Sequence, residues 1–155
     1  MRLVVAAVGQ RMPRWADEIF EEFARRMPAE CRLELKAVKA EPRAGKSAEQ
    51  CKAAEAQRLE AVMPRGAWRV ALDERGARRT TAELSQRLDV WLMHGHDVAL
   101  LIGGPDGHAA AVRARAAASW SLSRLTLPHG LARVLLVEQL YRAHTLASGH
   151  PYHRD

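Results

Sequence analysis

The sequence predicts an α/β fold: a mostly parallel sheet covered by helices on both faces. Three observations carry that expectation. Leu3 to Val8 and Val98 to Ile102 are continuous apolar runs, the pattern of strands buried on both sides. Segments with apolar residues at helical spacing lie between the strand-like runs, so strands and helices alternate along the chain. The 155 residues contain neither a repeat nor a long linker, so residues 1–155 read as one domain with one core.

The elements follow in order. Gly9 closes the first strand, and Pro13 stands where a helix starts. Trp15, Ile19 and Phe23 form that helix's apolar stripe, ended by Pro28. Leu33, Leu35 and Ala37 alternate with Glu34, Lys36 and Val38 in a second strand with a more polar face. Residues 41–47 (EPRAGKS) read as a mobile loop. Its AGKS resembles the end of a phosphate loop but lacks the upstream glycine and the leading strand, so triphosphate binding is not expected. A helix from Ala48 to Met63 stops at Pro64. A third strand, Trp68 to Leu72, ends at Asp73 before Arg75 and Gly76. Thr80 and Glu83 have capping-box spacing, Leu84, Leu88, Trp91 and Leu92 form a helical stripe, and Gly95 stops it. After the fourth strand come a helix over Ala109 to Ser119, a short strand at Ser121 to Leu125, and a long helix from His129 to about Ala147.

The formal net charge is +6 and arginine outnumbers lysine. That balance suits a polyanion such as nucleic acid, and equally suits plain solubility. Cys31 and Cys51 are far apart and form no CxxC pair, so neither a disulfide framework nor a zinc site is expected and a reducing, cytoplasmic setting fits. The apolar N-terminus reaches Gln10 and Arg11 too soon for a membrane span.

Chemistry concentrates in the last third. Gly103, Gly104 and Gly107 follow a buried strand, where open α/β sheets place ligands; a tight turn into a helix opened by Pro105 explains them too. Leu122 to Pro128 reads either as a sheet strand with a cap or as a loop whose backbone and apolar wall suit a flat ring. Glu138 and Arg142 are spaced as a helical ion pair. In the terminal HPYHRD (His150 to Asp155), Pro151 stiffens the chain and Tyr152 offers an anchor. Arg154 can clamp a phosphate and His153 can move a proton near neutral pH. The histidines, the His94/His96 pair included, lack supporting acids or cysteines, so no metal is expected.

VAAVGQRMPRW (5–15), LIGGPDG (101–107), SWSLSRLTLPH (119–129), RVLLVEQLYRA (133–143) and HPYHR (150–154), in this order, resemble one family along the whole chain. It is the bacterial 23S rRNA (pseudouridine-N3)-methyltransferase family of the SPOUT class. The resemblance implies a C-terminal trefoil knot, which general topology rules would not suggest, and S-adenosylmethionine as cofactor. It implies cofactor contacts at Leu72, Asp73, Gly103, Gly104, Leu122, Ser123, Arg124, Leu125, Thr126 and Leu127. It also implies a homodimer in which one subunit's tail completes the other's site, acting on 23S rRNA in the assembled ribosome, with no DNA or membrane partner. The catalytic candidates are then His153 as proton acceptor, Arg154 on the RNA backbone or base carbonyl, Arg142 on the developing imide anion, and Tyr152 positioning the base. Arg2, Arg11, Arg113 and Arg115 are expected RNA contacts. Asp106 stands where Glu is common, and His108-Ala109-Ala110 replaces a more polar helix start. Two rival readings remain: a non-catalytic RNA-binding module, and a flavodoxin-like enzyme holding a phosphate at the Gly103 turn.

Overall fold

A computed structural model describes residues 1–154. Five strands, β1 (Arg2–Val8), β2 (Arg32–Val38), β3 (Trp68–Arg78), β4 (Val98–Ile102) and β5 (Ala118–Ser121), form one sheet in the order β2-β1-β4-β3-β5. Every pairing is parallel. The helices are α1 (Arg14–Arg26), α2 (Ala48–Val62), α3 (Thr81–His94), α4 (Ala110–Arg115) and α5 (His129–Ser148), with a final 3-10 turn at Pro151–Arg154.

The two-residue period of a strand decides the layering. Leu3, Val5 and Ala7 of β1 and Val98, Leu100 and Ile102 of β4 pack with Phe20 of α1, Leu88 and Trp91 of α3, and Leu136, Val137 and Leu140 of α5. Ala6, Val8, Ala99 and Leu101 point the other way, onto Leu59 of α2 with Val112 of α4 against them. Helices therefore cover both faces, and the uninterrupted apolar runs are explained.

Both long polar starts are capped by side chains. Ser47 and Gln50 form a capping box on α2, and Thr80 and Glu83 form one on α3. The Lys46-Ser47 pair that resembled a phosphate loop is thus occupied in folding: Ser47 caps α2 and Lys46 pairs with Glu41. The 41–47 segment carries further ties, Arg58 to Glu41 and Arg43 to Asp106 at 2.8 Å, where sequence suggested a mobile loop. Thr80→Ala removes the acceptor of the Glu83 N–H and is expected to cost about 1 kcal/mol, read as a lower urea midpoint with unchanged slope.

Three expectations need correction. β3 does not stop at Leu72. Its register with β5 shifts between Leu72 and Ala77, so 73–76 bulge out and pairing resumes at Ala77 and Arg78. The turn signal at Asp73–Gly76 was a bulge, because Gly76 lets the two backbones meet again. The helix expected over 109–119 is only Ala110–Arg115, and the strand expected at 121–125 lies at Ala118–Ser121. Edge pairing with β3 overrides the helix preference of its alanines. Finally, α1 buries Ala16 and Phe20, and leaves Trp15 and Ile19 on the surface at 44% and 37% exposure.

Candidate active site

The carboxyl ends of β3, β4 and β5 open into a cavity of about 320 Å³, within the roughly 300–1,000 Å³ typical of small-molecule sites. Three loops wall it. The first is the β3 bulge, where Asp73 accepts the Arg75 N–H at 2.9 Å and meets Arg113 at 3.4 Å. The second is the glycine turn after β4, closed by the Gly107 N–H on the Gly104 carbonyl at 2.9 Å. The third follows β5. There the Ser121 hydroxyl donates to the Ser123 carbonyl at 2.7 Å, the Leu125 N–H donates to Ser123 Oγ at 2.9 Å, and the Thr126 hydroxyl reaches Glu74 at 3.3 Å.

Of the expected cofactor residues, Leu72, Asp73, Gly103, Gly104, Leu122, Ser123, Leu125, Thr126 and Leu127 all line this cavity. Arg124 is exposed and is not among the lining residues. Gly103 is required by packing: a Cβ there would stand 2.9 Å from the Gly107 carbonyl carbon. On Gly104 a Cβ would meet Glu55 Oε1 at 2.7 Å.

Sequence reasoning missed the polar layer beneath the turn. Glu55 is 3% exposed; it accepts the Glu41 N–H at 3.1 Å through Oε2, and its Oε1 has no partner among the described residues. Arg133 is 2% exposed and donates to the Gly9 carbonyl. His108 is buried with Nε2 at 2.9 Å from the Leu101 carbonyl, and His129 lines the cavity floor. No local pattern marks these residues, since only the packing of α2 and α5 under the turn buries them.

Burial lowers the pKa of both His108 and His129 below the ordinary 6.5, so the folded chain holds them neutral. The unfolded chain protonates them near 6.5. Their contribution to stability is therefore complete above about 6.5 and is lost as pH falls toward the depressed folded values, by at most about 1.4 kcal/mol per pH unit per histidine. Urea melts should show this fall between neutral and mildly acid pH, and a His108→Gln chain should show a shallower one.

The terminal candidates lie elsewhere. Tyr152 donates its hydroxyl to Glu138 at 3.0 Å, and its ring meets Tyr141 at 4.8 Å. Burial, then the Glu138 hydrogen bond, push the Tyr152 phenol above its usual pKa, so it stays a donor. Arg142 bonds Glu138 at 2.9 Å and sits 5.0 Å over the Tyr152 ring. The pair expected from spacing is therefore part of a cluster that seats the tail. His153 Nδ1 is buried without a partner among the described residues, and Arg154 is exposed. None of Arg142, Tyr152, His153 and Arg154 lines the cavity. The cavity touches the start of α5 at His129 and Ala132, and the tail folds back to seat Tyr152 on Glu138 and Tyr141 near the middle of that 20-residue helix.

Of the expected RNA contacts, Arg2 is held by Asp97 at 2.8 Å, Arg113 by Asp73, and Arg115 stands 3.9 Å from Glu60. Arg11 remains exposed. Cys31 and Cys51 are free, buried thiols, and burial raises the Cys31 pKa to about 11. No described helix is long and apolar enough to cross a membrane.

A parallel sheet with a cavity at its carboxyl edge, walled by a glycine turn and an apolar loop, defines an α/β protein with a small-molecule-sized cavity where such sheets place ligands. The family is more specific. A family model described as predicted SPOUT methyltransferase matches residues 1–153, and the chain belongs to that family. It is 58% identical over 156 residues, 100% of both chains, to the ribosomal RNA large subunit methyltransferase H of Methylibium petroleiphilum. It is 57% and 56% identical, again over 100% of both chains, to the proteins of that name from Verminephrobacter eiseniae and Leptothrix cholodnii.

Proposed function

We propose that this chain methylates N3 of a pseudouridine in 23S rRNA on the assembled ribosome, using S-adenosylmethionine and working as a cytoplasmic homodimer. The carrying observation is the separation within one chain: the cavity meets α5 at His129 and Ala132, whereas Tyr152 of the tail seats on Glu138 and Tyr141, and none of Tyr152, His153 and Arg154 lines the cavity. A second copy that brings its tail to the first copy's cavity unites them. A surface suited to that copy exists. Trp15 and Ile19 of α1 and Leu131 and Leu135 of α5, each between 37% and 44% exposed, lie on packed neighbouring helices. The trefoil knot belongs to this reading, with the loops after β4 and β5 as its cofactor-holding part.

The cavity's chemistry fits the cofactor. Leu72, Ile102, Leu122 and Leu127 supply apolar walls for an adenine, and Asp73 and Glu74 stand in the lining beside a guest that carries a cationic sulfonium. When bound, that cofactor supplies a sulfonium methyl open to in-line displacement. The chain's part is positioning, which can supply about 7–11 kcal/mol of barrier reduction. Backbone groups of the glycine turn and of 122–127 hold the donor. His153, or a water it orients, accepts the imide proton from N3. Arg142 stabilises the resulting anion, Tyr152 positions the base and Arg154 holds the RNA.

Mass spectrometry of rRNA from cells lacking the protein tests this directly: one pseudouridine should lose its methyl. Calorimetry that finds no S-adenosylmethionine binding would instead make the chain an RNA-binding module.

A further inference from the structure

Most of the surface arginines stand against a carboxylate, as Arg14, Arg43, Arg58 and Arg69 do. At the cavity Arg113 pairs with Asp73, but another group of arginines there behaves differently. Arg75, Arg78, Arg79 and Arg124 make no ion pair among the described residues, although all but Arg124 belong to one stretch of chain. Arg11, Arg32, Arg65, Arg87 and Arg154 are also without one among the described residues, but they are scattered along the chain.

The β3 bulge gathers the first group. Arg75 lines the cavity itself. Pairing then resumes with Arg78 opposite Ser121, which is part of the cavity wall. The Arg79 guanidinium lies 5.9 Å from the ring centre of Trp120, the residue before Ser121. Arg124 is exposed on the third loop, which is tied back to the bulge through Thr126 and Glu74. Of the nearby acids, Asp73 holds Arg113 and the Arg75 N–H, while Glu74 takes only the neutral Thr126 hydroxyl and keeps its charge. Four cations facing the single uncompensated carboxylate of Glu74 leave a net positive rim whose mutual repulsion a polyanion converts into binding. Each guanidinium fork also matches a phosphate bidentately.

We propose that this rim grips backbone phosphates of the RNA strand that carries the target base into the cavity. The inference rests on the methyltransferase reading for what the cavity does, and it adds which surface holds the RNA. The second copy in the proposed dimer seats on the α1 and α5 surface and reaches the cavity with its tail; the rim arginines themselves suit RNA better than that copy, which is basic at +6.

Arg78 and Arg79 lie outside the cavity lining, so R78Q/R79Q is the cleanest probe. Binding to large ribosomal subunits from cells lacking the protein should be measured across a salt series. The log–log salt slope is expected to flatten by about 2, with affinity falling roughly tenfold near physiological salt. S-adenosylmethionine affinity by calorimetry should stay within about twofold, and R78K/R79K, which keeps the charge, should restore the slope. Adding R75Q and R124Q should flatten it further. An unchanged slope with the four glutamines would overturn the proposal, as would conversion of R78Q/R79Q to a monomer in sedimentation, since the rim would then hold a second copy. A wild-type chain that binds neither cofactor nor ribosome would overturn the underlying reading instead, and the two failures are distinguishable.

Discussion

Gly76→Ala is expected to destabilise the chain by about 3 kcal/mol, because overpacking against backbone has no side chain to move aside. A Cβ at this position would stand 2.7 Å from the Ser119 carbonyl carbon and oxygen and from the Trp120 carbonyl carbon. Relief requires β3 and β5 to separate where they resume pairing after the bulge. For a chain of this length the loss corresponds to a melting temperature lower by roughly 6–12 °C. Because Asp73, Glu74 and Arg75 of the bulge line the cavity, S-adenosylmethionine affinity should fall as well. A melting temperature within about 2 °C of wild type would mean that the strands separate without penalty, and the packing account of the bulge would fail.

His153→Ala is expected to slow single-turnover methylation of rRNA by roughly 10²–10⁴-fold, the usual range for loss of a positioned proton acceptor. Cofactor affinity should be retained, since His153 is not in the cavity wall. Unchanged turnover would remove this imidazole from the proton transfer. A mixing experiment isolates the geometry. Gly103→Val should disable a protomer's own cavity, as a Cβ there already meets the Gly107 backbone at 2.9 Å. In a mixed dimer with His153→Ala, one site combines an intact cavity with an intact tail, so activity should return above that of either variant alone. If each protomer used its own tail, mixing would restore nothing.

The alternation of strands and helices was legible because burial on a sheet and on a helix imposes periods that any apolar pattern must obey. The glycine turn was legible for a related reason: Gly103, Gly104 and Gly107 directly after a buried strand mark a backbone that must approach something closely. The β3 bulge was not, because Asp73, Arg75 and Gly76 are ordinary turn residues and only the resumption of pairing distinguishes a bulge from an end. Nor were the bounds of β5, expected at 121–125 and found at Ala118–Ser121, since Ala118 and Ser119 have little strand preference and take that form from their neighbour. Trp15 and Ile19 looked like core at helical spacing, yet α1 turns Ala16 and Phe20 inward, since the small Ala16 lets α5 approach closely at Gly130.

From residues alone came the parallel α/β sheet and the glycine turn at the carboxyl end of the fourth strand, because both are written in local pattern. Tertiary structure decided the rest: that Glu55, His108 and Arg133 form a buried polar layer under the glycine turn, that unpaired arginines collect on the cavity rim, and that Tyr152 docks the tail on Glu138 and Tyr141 near the middle of α5. Burial and distance are properties of chain segments brought together from afar, and no short stretch of sequence encodes which partner it will meet.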